Sequence, residues 1–163
     1  MSADQEEIAA TARRFALARL APNAAEWEEQ GALDRPTLKE MAGLGFGGIV
    51  VREDAGGAAL GRLEAALVFE NLARGCVSTA AFMSIHNMSA WMLDRFGSAE
   101  LRARFLGRVV AMDAIASYCL TEPGSGSDAA SLKTSARREG DHYVLNGAKA
   151  FISGAGFSDL YLV

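Results

Sequence analysis

Apolar residues recur at helical spacing over the first two thirds of the chain. Ile8, Ala12 and Phe15 lie three or four residues apart, which places them on one face of a helix that Pro22 interrupts. A similar pattern, with Asp34 as N-cap and a halt at a glycine-rich stretch, predicts a second helix. Five helices are expected, and their short connections predict a bundle. The other three are one whose face carries Leu63, Ala66, Leu67 and Glu70, one from Val77 to Phe96 and one opened by Ser98.

The periodicity changes after about Met112, where short apolar runs replace the helical pattern. Residues 115–120 form a strand candidate. Residues 132–138 and 143–145 flank Glu139-Gly140-Asp141 and predict a β-hairpin with a tight turn. The second part of the chain is therefore expected to consist of strands and loops.

These changes predict two domains, a helical one over residues 1–112 and the beginning of a β-domain over residues 113–163. The final residues, Asp159 to Val163, form an apolar run that no turn or polar tail ends. Because about four strands would leave an open edge and an uncovered face, we expect the chain to be cut within its β-domain. The predicted fold class is α+β, with an N-terminal helical bundle followed by the first strands of the truncated domain.

Composition narrows the class of protein. Of all residues 50% are hydrophobic, 22% are charged and three are proline, which is typical of a folded globular chain. The net charge of −4 and the pI near 5.2 disfavour nucleic-acid binding. No run approaches the roughly 18 to 20 apolar residues that span a bilayer, so we expect no membrane span. The two cysteines and two histidines stand apart, which favours neither a metal site nor a disulfide framework.

The segment from Thr121 to Asp128 is the strongest candidate for a binding loop. Gly124 and Gly126 permit the close approach and the unusual dihedrals that a phosphate or pyrophosphate requires. The loop lacks both the G-x-G-x-x-G spacing and the P-loop lysine, so a wide surface turn is the simpler interpretation of the loop alone. His86 has no assignable catalytic partner, which favours a packing role. Cys119 lacks a neighbouring base that would make it a nucleophile.

Two segments together carry a family resemblance. Tyr118 to Asp128 reads YCLTEPGSGSD, and Asn146 to Gly154 reads NGAKAFISG. In this order and spacing they resemble the flavin-binding signature of acyl-CoA dehydrogenases, and the helical residues before them resemble the N-terminal domain of that family. The resemblance covers essentially the whole chain. It implies an FAD cofactor and a β-barrel-like middle domain, of which the chain holds the first strands.

Within the family, Ser84 to Met92 and Phe151 to Gly154 resemble the branch that oxidises isobutyryl-CoA in valine breakdown, and so does the pair Gly75-Cys76. Many relatives carry Trp and Thr where this chain has Phe151 and Ser153. The aromatic ring and the hydroxyl are therefore retained. The resemblance implies that the acyl group of the substrate is short and branched.

The resemblance also implies binding roles for individual residues. The Thr121 hydroxyl would face the isoalloxazine, and Gly126 and Ser127 would lie by the pyrophosphate. Ser127 would also contact the pantetheine arm of CoA, and the segment that begins at Phe151 would cover the flavin. The implied FAD site comprises Tyr118, Cys119, Leu120, Thr121, Glu122, Pro123, Gly124, Ser125, Gly126, Ser127, Phe151, Ile152 and Ser153. The implied acyl pocket is lined by Ala81, Ser84, Ile85 and Met88 of the fourth helix.

The implied reaction is oxidation of the acyl-CoA to the 2,3-enoyl-CoA, in which a carboxylate removes the α-proton and a hydride leaves the β-carbon for flavin N5. The family's base is a glutamate of a C-terminal helical domain, so we expect this chain alone to hold no catalytic residue and to be inactive. Glu70 is better explained as a helix-face residue, and Glu122 as a residue that positions its own loop. The resemblance further implies electron-transfer flavoprotein as a partner, a homotetrameric full-length protein, and a location in the bacterial cytoplasm or the mitochondrial matrix.

Two other classes of function stay open. The chain could act as a non-catalytic flavin-holding or interaction module, or its parent could be a scaffold relative with oxidase or nitroalkane-oxidising activity. A longer chain that supplies a suitably placed glutamate or aspartate would argue against the module. Slow reoxidation of the reduced flavin in air would argue against the oxidase.

Overall fold

Helices occupy the first part of the chain, and strands appear only after them. The structure is a computed structural model that describes all residues from 1 to 163. The helices are α1 (Ala3–Phe15), α2 (Ala24–Gln30), α3 (Arg35–Gly43), α4 (Arg62–Ala73), α5 (Val77–Phe96), α6 (Ala99–Leu101) and α7 (Gly107–Val110). The strands are β1 (Ala116–Tyr118), β2 (Ser135–Glu139), β3 (His142–Asn146) and β4 (Leu160–Leu162). This order confirms the predicted α+β class.

The first helix begins and ends where its sequence indicates. At its start Ser2 Oγ accepts a hydrogen bond from the Gln5 amide (3.2 Å), and Gln5 Oε1 accepts one from the Ser2 amide (3.0 Å), which together form a capping box. The helix widens into a π-helical turn, Ala16–Leu20, and stops before the proline that follows. Gly75 lies against this turn, since a Cβ there would come 2.4 Å from the Ala16 carbonyl oxygen.

Two features of the helical part differ from the sequence prediction. The periodicity predicts no helix over Ala24–Gln30, yet α2 forms there and ends at Gly31 with a φ of +60°. Its seven residues are too few to show a clear apolar period, so tertiary contacts decide this helix. The predicted fifth helix extends from Ala99 to Val110, with a π-helical turn, Arg102–Leu106, between α6 and α7.

The buried face of α4 is not the one that the spacing indicates. The predicted face, which includes Leu63 and Glu70, lies largely at the surface, and Leu63 is 57% exposed. The helix instead buries Val68 and Leu72 and packs against α1 and α5. Because most positions in its first two turns are apolar, the period cannot choose a face, and the packing chooses it.

Helix α5 lies between the other helices and the first strand. On one side it packs on α4, and Phe82 joins Leu72 in the larger apolar core. On the other side Ala90 and Leu93 belong to a second buried cluster that includes Ala116 of β1. This second cluster places β1 directly against the helix.

The strands form two separate pairs. β1 and β4 are parallel, with Ala116 opposite Leu160 and Tyr118 opposite Leu162. β2 and β3 form the predicted hairpin, whose turn has Gly140 at a φ of +64°. Within the chain these strands close no barrel. No helix combines the length and the apolar composition that a membrane crossing demands.

Candidate functional site

The two segments with the family resemblance lie side by side in the structure. The Ala150 amide donates a hydrogen bond to the Thr121 carbonyl (2.9 Å), and Lys149 Nζ donates one to the Leu120 carbonyl (2.8 Å). Ser117 Oγ, from β1, donates to the Ser153 carbonyl (2.6 Å). These bonds join the loop after β1 to the segment before β4, so the two segments that hold the predicted flavin residues adjoin each other.

A brace from the helical part supports this region. Arg35, at the start of α3, pairs with Asp159 at 2.9 Å, and its guanidinium lies 4.6 Å from the centre of the Phe157 ring. Asp159 Oδ2 also accepts a hydrogen bond from the Ile115 amide at 2.9 Å. Hydrogen bonds from Arg35 and from this amide lower the pKa of Asp159. The brace therefore fixes the residues just before β4 against the start of β1.

Glu122 holds the binding loop from inside. It is buried, and its carboxylate accepts hydrogen bonds from the Lys133 amide (2.7 Å), the Thr134 amide (2.9 Å) and Lys149 Nζ (2.9 Å). Hydrogen bonding from Thr134, Lys133 and Lys149 lowers the pKa of Glu122 to about 2. Its backbone exchanges two further hydrogen bonds with Ser125. Both carboxylate oxygens are occupied within the chain, which agrees with the expectation that Glu122 positions its own loop.

The tip of the loop presents free hydrogen-bond donors. The amides of Gly124, Gly126 and Ser127 donate to no acceptor within the chain, and all three residues are exposed. Neither glycine has a positive φ, so the loop does not use the left-handed conformation that glycine permits. A Cβ at either glycine would meet nothing within 4 Å, so their surroundings are open. Free amides on an open surface suit the pyrophosphate of the implied flavin nucleotide.

The loop also borders a polar groove of about 440 Å³. Residues 123–124 line it on one side, and residues 146–147 of the second segment line it too. Lys133 is the single lysine in the lining, and Glu122, the single carboxylate, is already paired with Lys149. The uncompensated charge of the groove is therefore positive, which favours an anionic ligand.

Phe151 has the most unusual conformation in the second segment. Its side chain is 95% exposed, and its φ is +56°, in the left-handed region that few non-glycine residues adopt. Such a conformation costs about 1 to 3 kcal/mol and persists only where the surroundings hold it. The Ala150 and Ser153 backbone bonds described above hold this residue on both sides. An aromatic ring held open in this way can pack on a planar ligand.

The other predicted flavin residues divide into supporting and surface residues. Cys119 and Ser125 are buried, and burial raises the pKa of the Cys119 thiol, which disfavours a nucleophilic role as expected. Ser125 Oγ donates to the Asp128 carbonyl and so closes the loop. Pro123 and Ser153 are exposed. The remaining four are half-buried: Tyr118, Leu120, Thr121 and Ile152.

The structure brings part of the predicted acyl pocket to the flavin residues. Ala81 and Ser153 line the same cavity, of about 400 Å³, beside Phe82 and Trp27. Ser84 and Met88 instead line a larger, mostly apolar groove of about 620 Å³ between α4 and α5. Ile85 is half-buried and lines neither space, and Ser127 lies outside both.

Sequence reasoning missed the residues that join the two segments. Ser117 links β1 to Ser153, and Lys149 links Leu120 and Glu122. Lys149 is the one charged residue among the small and apolar residues from 146 to 154, and this contrast was an available signal. Ser117 gave no such signal, because a single serine in a strand candidate does not show which distant group its hydroxyl will meet.

Comparison with known proteins assigns the family. Residues 2–113 match "Acyl-CoA dehydrogenase, N-terminal domain", and residues 117–163 match "Acyl-CoA dehydrogenase, middle domain". The chain belongs to the acyl-CoA dehydrogenase family. The family predicted from the two segments is therefore confirmed.

Individual members of the acyl-CoA dehydrogenase family resemble the chain along its whole length. It is 54% identical over 163 residues to mitochondrial isobutyryl-CoA dehydrogenase of Bos taurus and 53% identical to that of Dictyostelium discoideum, covering 39% of each relative. It resembles glutaryl-CoA dehydrogenase of Mycobacterium smegmatis, solved in complex with FADH2, with a TM-score of 0.94 and 34% identity. That match covers 100% of this chain and 42% of the other. The chain thus spans about two fifths of the length of the curated relatives that it matches.

Proposed function

We propose that the protein containing this chain is an FAD-dependent acyl-CoA dehydrogenase that oxidises a short, α-methyl-branched acyl-CoA, isobutyryl-CoA first, to the 2,3-enoyl-CoA. The observation that carries the proposal is the junction of the Tyr118–Ser127 loop with the Phe151–Ser153 segment. The two joined segments expose free amides, an aromatic ring and hydroxyl groups, which supports a role in binding the cofactor. The 54% identity to an isobutyryl-CoA dehydrogenase supports the choice of substrate.

The chain's own residues hold the cofactor in this proposal. The free amides of Gly124, Gly126 and Ser127 bind the pyrophosphate, because backbone N–H groups on an open loop donate to an anion without a competing partner. Thr121 donates its hydroxyl to the flavin ring, and Phe151 packs on that ring. Bound FAD supplies the acceptor for the hydride.

The acyl group lies along α5 in this proposal. Ala81 shares a cavity with Ser153, so a substrate in contact with Ala81 is next to the segment that holds the flavin. Ser84 and Met88 follow within two turns of the same helix and line the separate groove between α4 and α5. In this proposal they and Ile85 limit the acyl chain where it extends from the first cavity along the helix. The Ser84 hydroxyl already donates to the Ala81 carbonyl at 2.7 Å, so this face offers the acyl chain little free polarity.

We propose that the catalytic base lies outside this chain, in a part of the protein that corresponds to the portion of the relatives that the chain does not match. Glu122 is occupied by the three donors described above. Glu70 lies on the exposed face of α4 and pairs with Arg74. The partners and location stay proposals as well: electron-transfer flavoprotein as the electron acceptor, a homotetramer, and a mitochondrial matrix or bacterial cytoplasmic location.

The proposal is tested with the full-length protein by comparing kcat/KM for isobutyryl-, 2-methylbutyryl-, butyryl- and octanoyl-CoA. Each methylene accommodated or rejected by an apolar pocket is worth about 1 to 3 kcal/mol, so we expect a graded preference with isobutyryl-CoA first. An optimum at octanoyl-CoA would contradict the substrate assignment. Rapid reoxidation of the reduced flavin by air, without electron-transfer flavoprotein, would favour the oxidase alternative.

A further inference from the structure

One buried side chain connects the helix with the acyl residues to the strand that leads into the flavin loop. His86, near the middle of α5, is 0% exposed. Its Nε2 lies 3.1 Å from the Val109 carbonyl oxygen, and its Nδ1 lies 3.1 Å from the Ala116 amide nitrogen. A carbonyl can only accept and an amide N–H can only donate, so His86 is the neutral tautomer with its proton on Nε2.

The His86 ring lies between the residues proposed for the acyl pocket and the strand that leads into the flavin loop. Ser84 and Ile85 precede His86 directly on α5, and Ala81 lies little more than one turn before it. On the other side Ala116 is the first residue of β1, and the next residue, Ser117, holds the Ser153 carbonyl. The imidazole therefore joins the proposed acyl surface to the strand from which both flavin segments are held.

No other side chain performs this task. Among the side-chain hydrogen bonds of α5, those of His86 alone reach α7 and β1. The remaining contacts across this boundary are apolar: Ala90 and Leu93 share the second cluster with Ala116, and Phe82 shares the larger core with Ile115. Apolar contacts permit sliding, whereas two hydrogen bonds from one rigid ring fix both direction and distance.

We propose that His86 is a positioning residue that sets the placement of the flavin loop relative to the acyl group. The inference rests on the proposed function. Hydride transfer requires the reacting atoms to be held about 3 to 3.5 Å apart, so a small shift of β1 against α5 lowers the rate of chemistry more than it lowers binding. Burial lowers the pKa of His86 to about 4, which keeps the ring in the neutral form that both bonds require.

The test uses the full-length holoenzyme with His86→Leu, which fills a similar volume and makes neither bond. We expect kcat for isobutyryl-CoA to fall about tenfold or more, while KM changes by less than about threefold. In the apoprotein, hydrogen exchange of the Ala116 amide should accelerate by about tenfold or more, a readout that needs neither flavin nor substrate. Leu72→Ala is the matched control, because it destabilises the core without touching β1.

The outcomes separate positioning from packing. If His86→Leu and Leu72→Ala lower kcat equally at equal loss of melting temperature, or if Ala116 exchange stays at the wild-type rate, the proposal is overturned. If His86→Leu does not fold, His86→Gln carries the test, since its amide offers one donor and one acceptor. A kcat that falls together with faster Ala116 exchange, or wild-type kcat together with wild-type exchange, supports the proposal, whereas a change in one of the two measurements without the other overturns it. If the wild-type enzyme does not oxidise isobutyryl-CoA, the proposed function is wrong. Hydrogen exchange of the Ala116 amide in the wild type and the variant still shows whether His86 holds β1.

Discussion

At the scale of single residues, the site depends on side chains that act inside the fold and not at its surface. Glu122 is held as an anion, and His86 is held neutral, each by donors and acceptors from distant parts of the chain. Phe151 is the opposite case, since its backbone is held in a costly conformation while its ring stays open. The roles of the individual flavin and acyl residues stay predictions.

Glu122→Gln in the full-length protein should weaken FAD binding. The amide NH2 group of Gln would face donors, either the Lys133 amide or Lys149 and the Thr134 amide, so at least one of the present bonds is lost and the loop loosens. We expect the dissociation constant of FAD to rise about tenfold, measured by quenching of flavin fluorescence on the apoprotein. Equal affinity in the variant and the wild type would show that the loop does not depend on this carboxylate. Glu53→Gln, at an exposed position, is the control and should leave the affinity unchanged.

His86 should make stability depend on pH between about 6.5 and 4. Burial places the pKa of His86 at about 4 in the folded chain, below the value of about 6.5 of an unfolded histidine. In this window the unfolded chain binds more protons, so stability is fully present above pH 6.5 and is lost as the pH falls. We expect the free energy of unfolding to fall by about 2 kcal/mol from pH 7 to pH 5 through this group.

Chemical denaturation at a series of pH values checks this prediction. In His86→Leu, the part of the pH dependence of the free energy of unfolding that is due to His86 should disappear. His142→Gln should keep it, because the other histidine of the chain is exposed on the hairpin. A wild-type slope in His86→Leu would assign the pH dependence to other groups.

At the scale of elements, close approaches decide how the helices meet. The turn between α4 and α5 touches the π-helical turn at the end of α1, and Gly75 makes this approach possible. The arginine brace from α3 and the histidine link from α5 then attach β1 and the start of β4 to the helices. The helical part thus serves as the platform on which the loop surface is held.

Gly75→Ala and Gly107→Ala should have opposite effects on stability. A Cβ at Gly75 would meet the Ala16 carbonyl oxygen at 2.4 Å, so the variant should lose about 1 to 3 kcal/mol. A Cβ at Gly107 would meet nothing within 4 Å, and alanine in this helix should add about 0.5 to 1 kcal/mol. Thermal unfolding of the two variants measures both changes in stability. If Gly75→Ala leaves the stability unchanged, the α4–α5 turn can move away from α1.

At the scale of the whole molecule, the helical and β parts share a core. The second apolar cluster contains Leu93 and Val110 from the helices together with Ala114 and Ala116. The division into residues 1–112 and 113–163 stays a prediction, since the change of periodicity at Met112 is clear but the packing crosses it. This continuity explains how a helix can position a loop of the β part.

The 163-residue chain by itself should not oxidise acyl-CoA. General-base catalysis requires a group within hydrogen-bond reach of the α-proton. Glu28 is the one carboxylate lining the cavity shared by Ala81 and Ser153, and it accepts a hydrogen bond from Ser78 Oγ at 3.2 Å. Turnover is measured with isobutyryl-CoA and an artificial electron acceptor, with the full-length protein as positive control. Activity of a chain of verified mass would locate a base within these residues.

The amino-acid sequence by itself determined the α+β order, the bounds of α5, the hairpin and the family. These features depend on local period, on turn residues and on two contiguous segments, all of which are visible along the chain. Only the tertiary structure decided which face α4 buries, that α2 forms, and that Lys149, Ser117 and His86 join distant segments. Such features arise from contacts between residues far apart in the chain, and those contacts leave no period in the sequence.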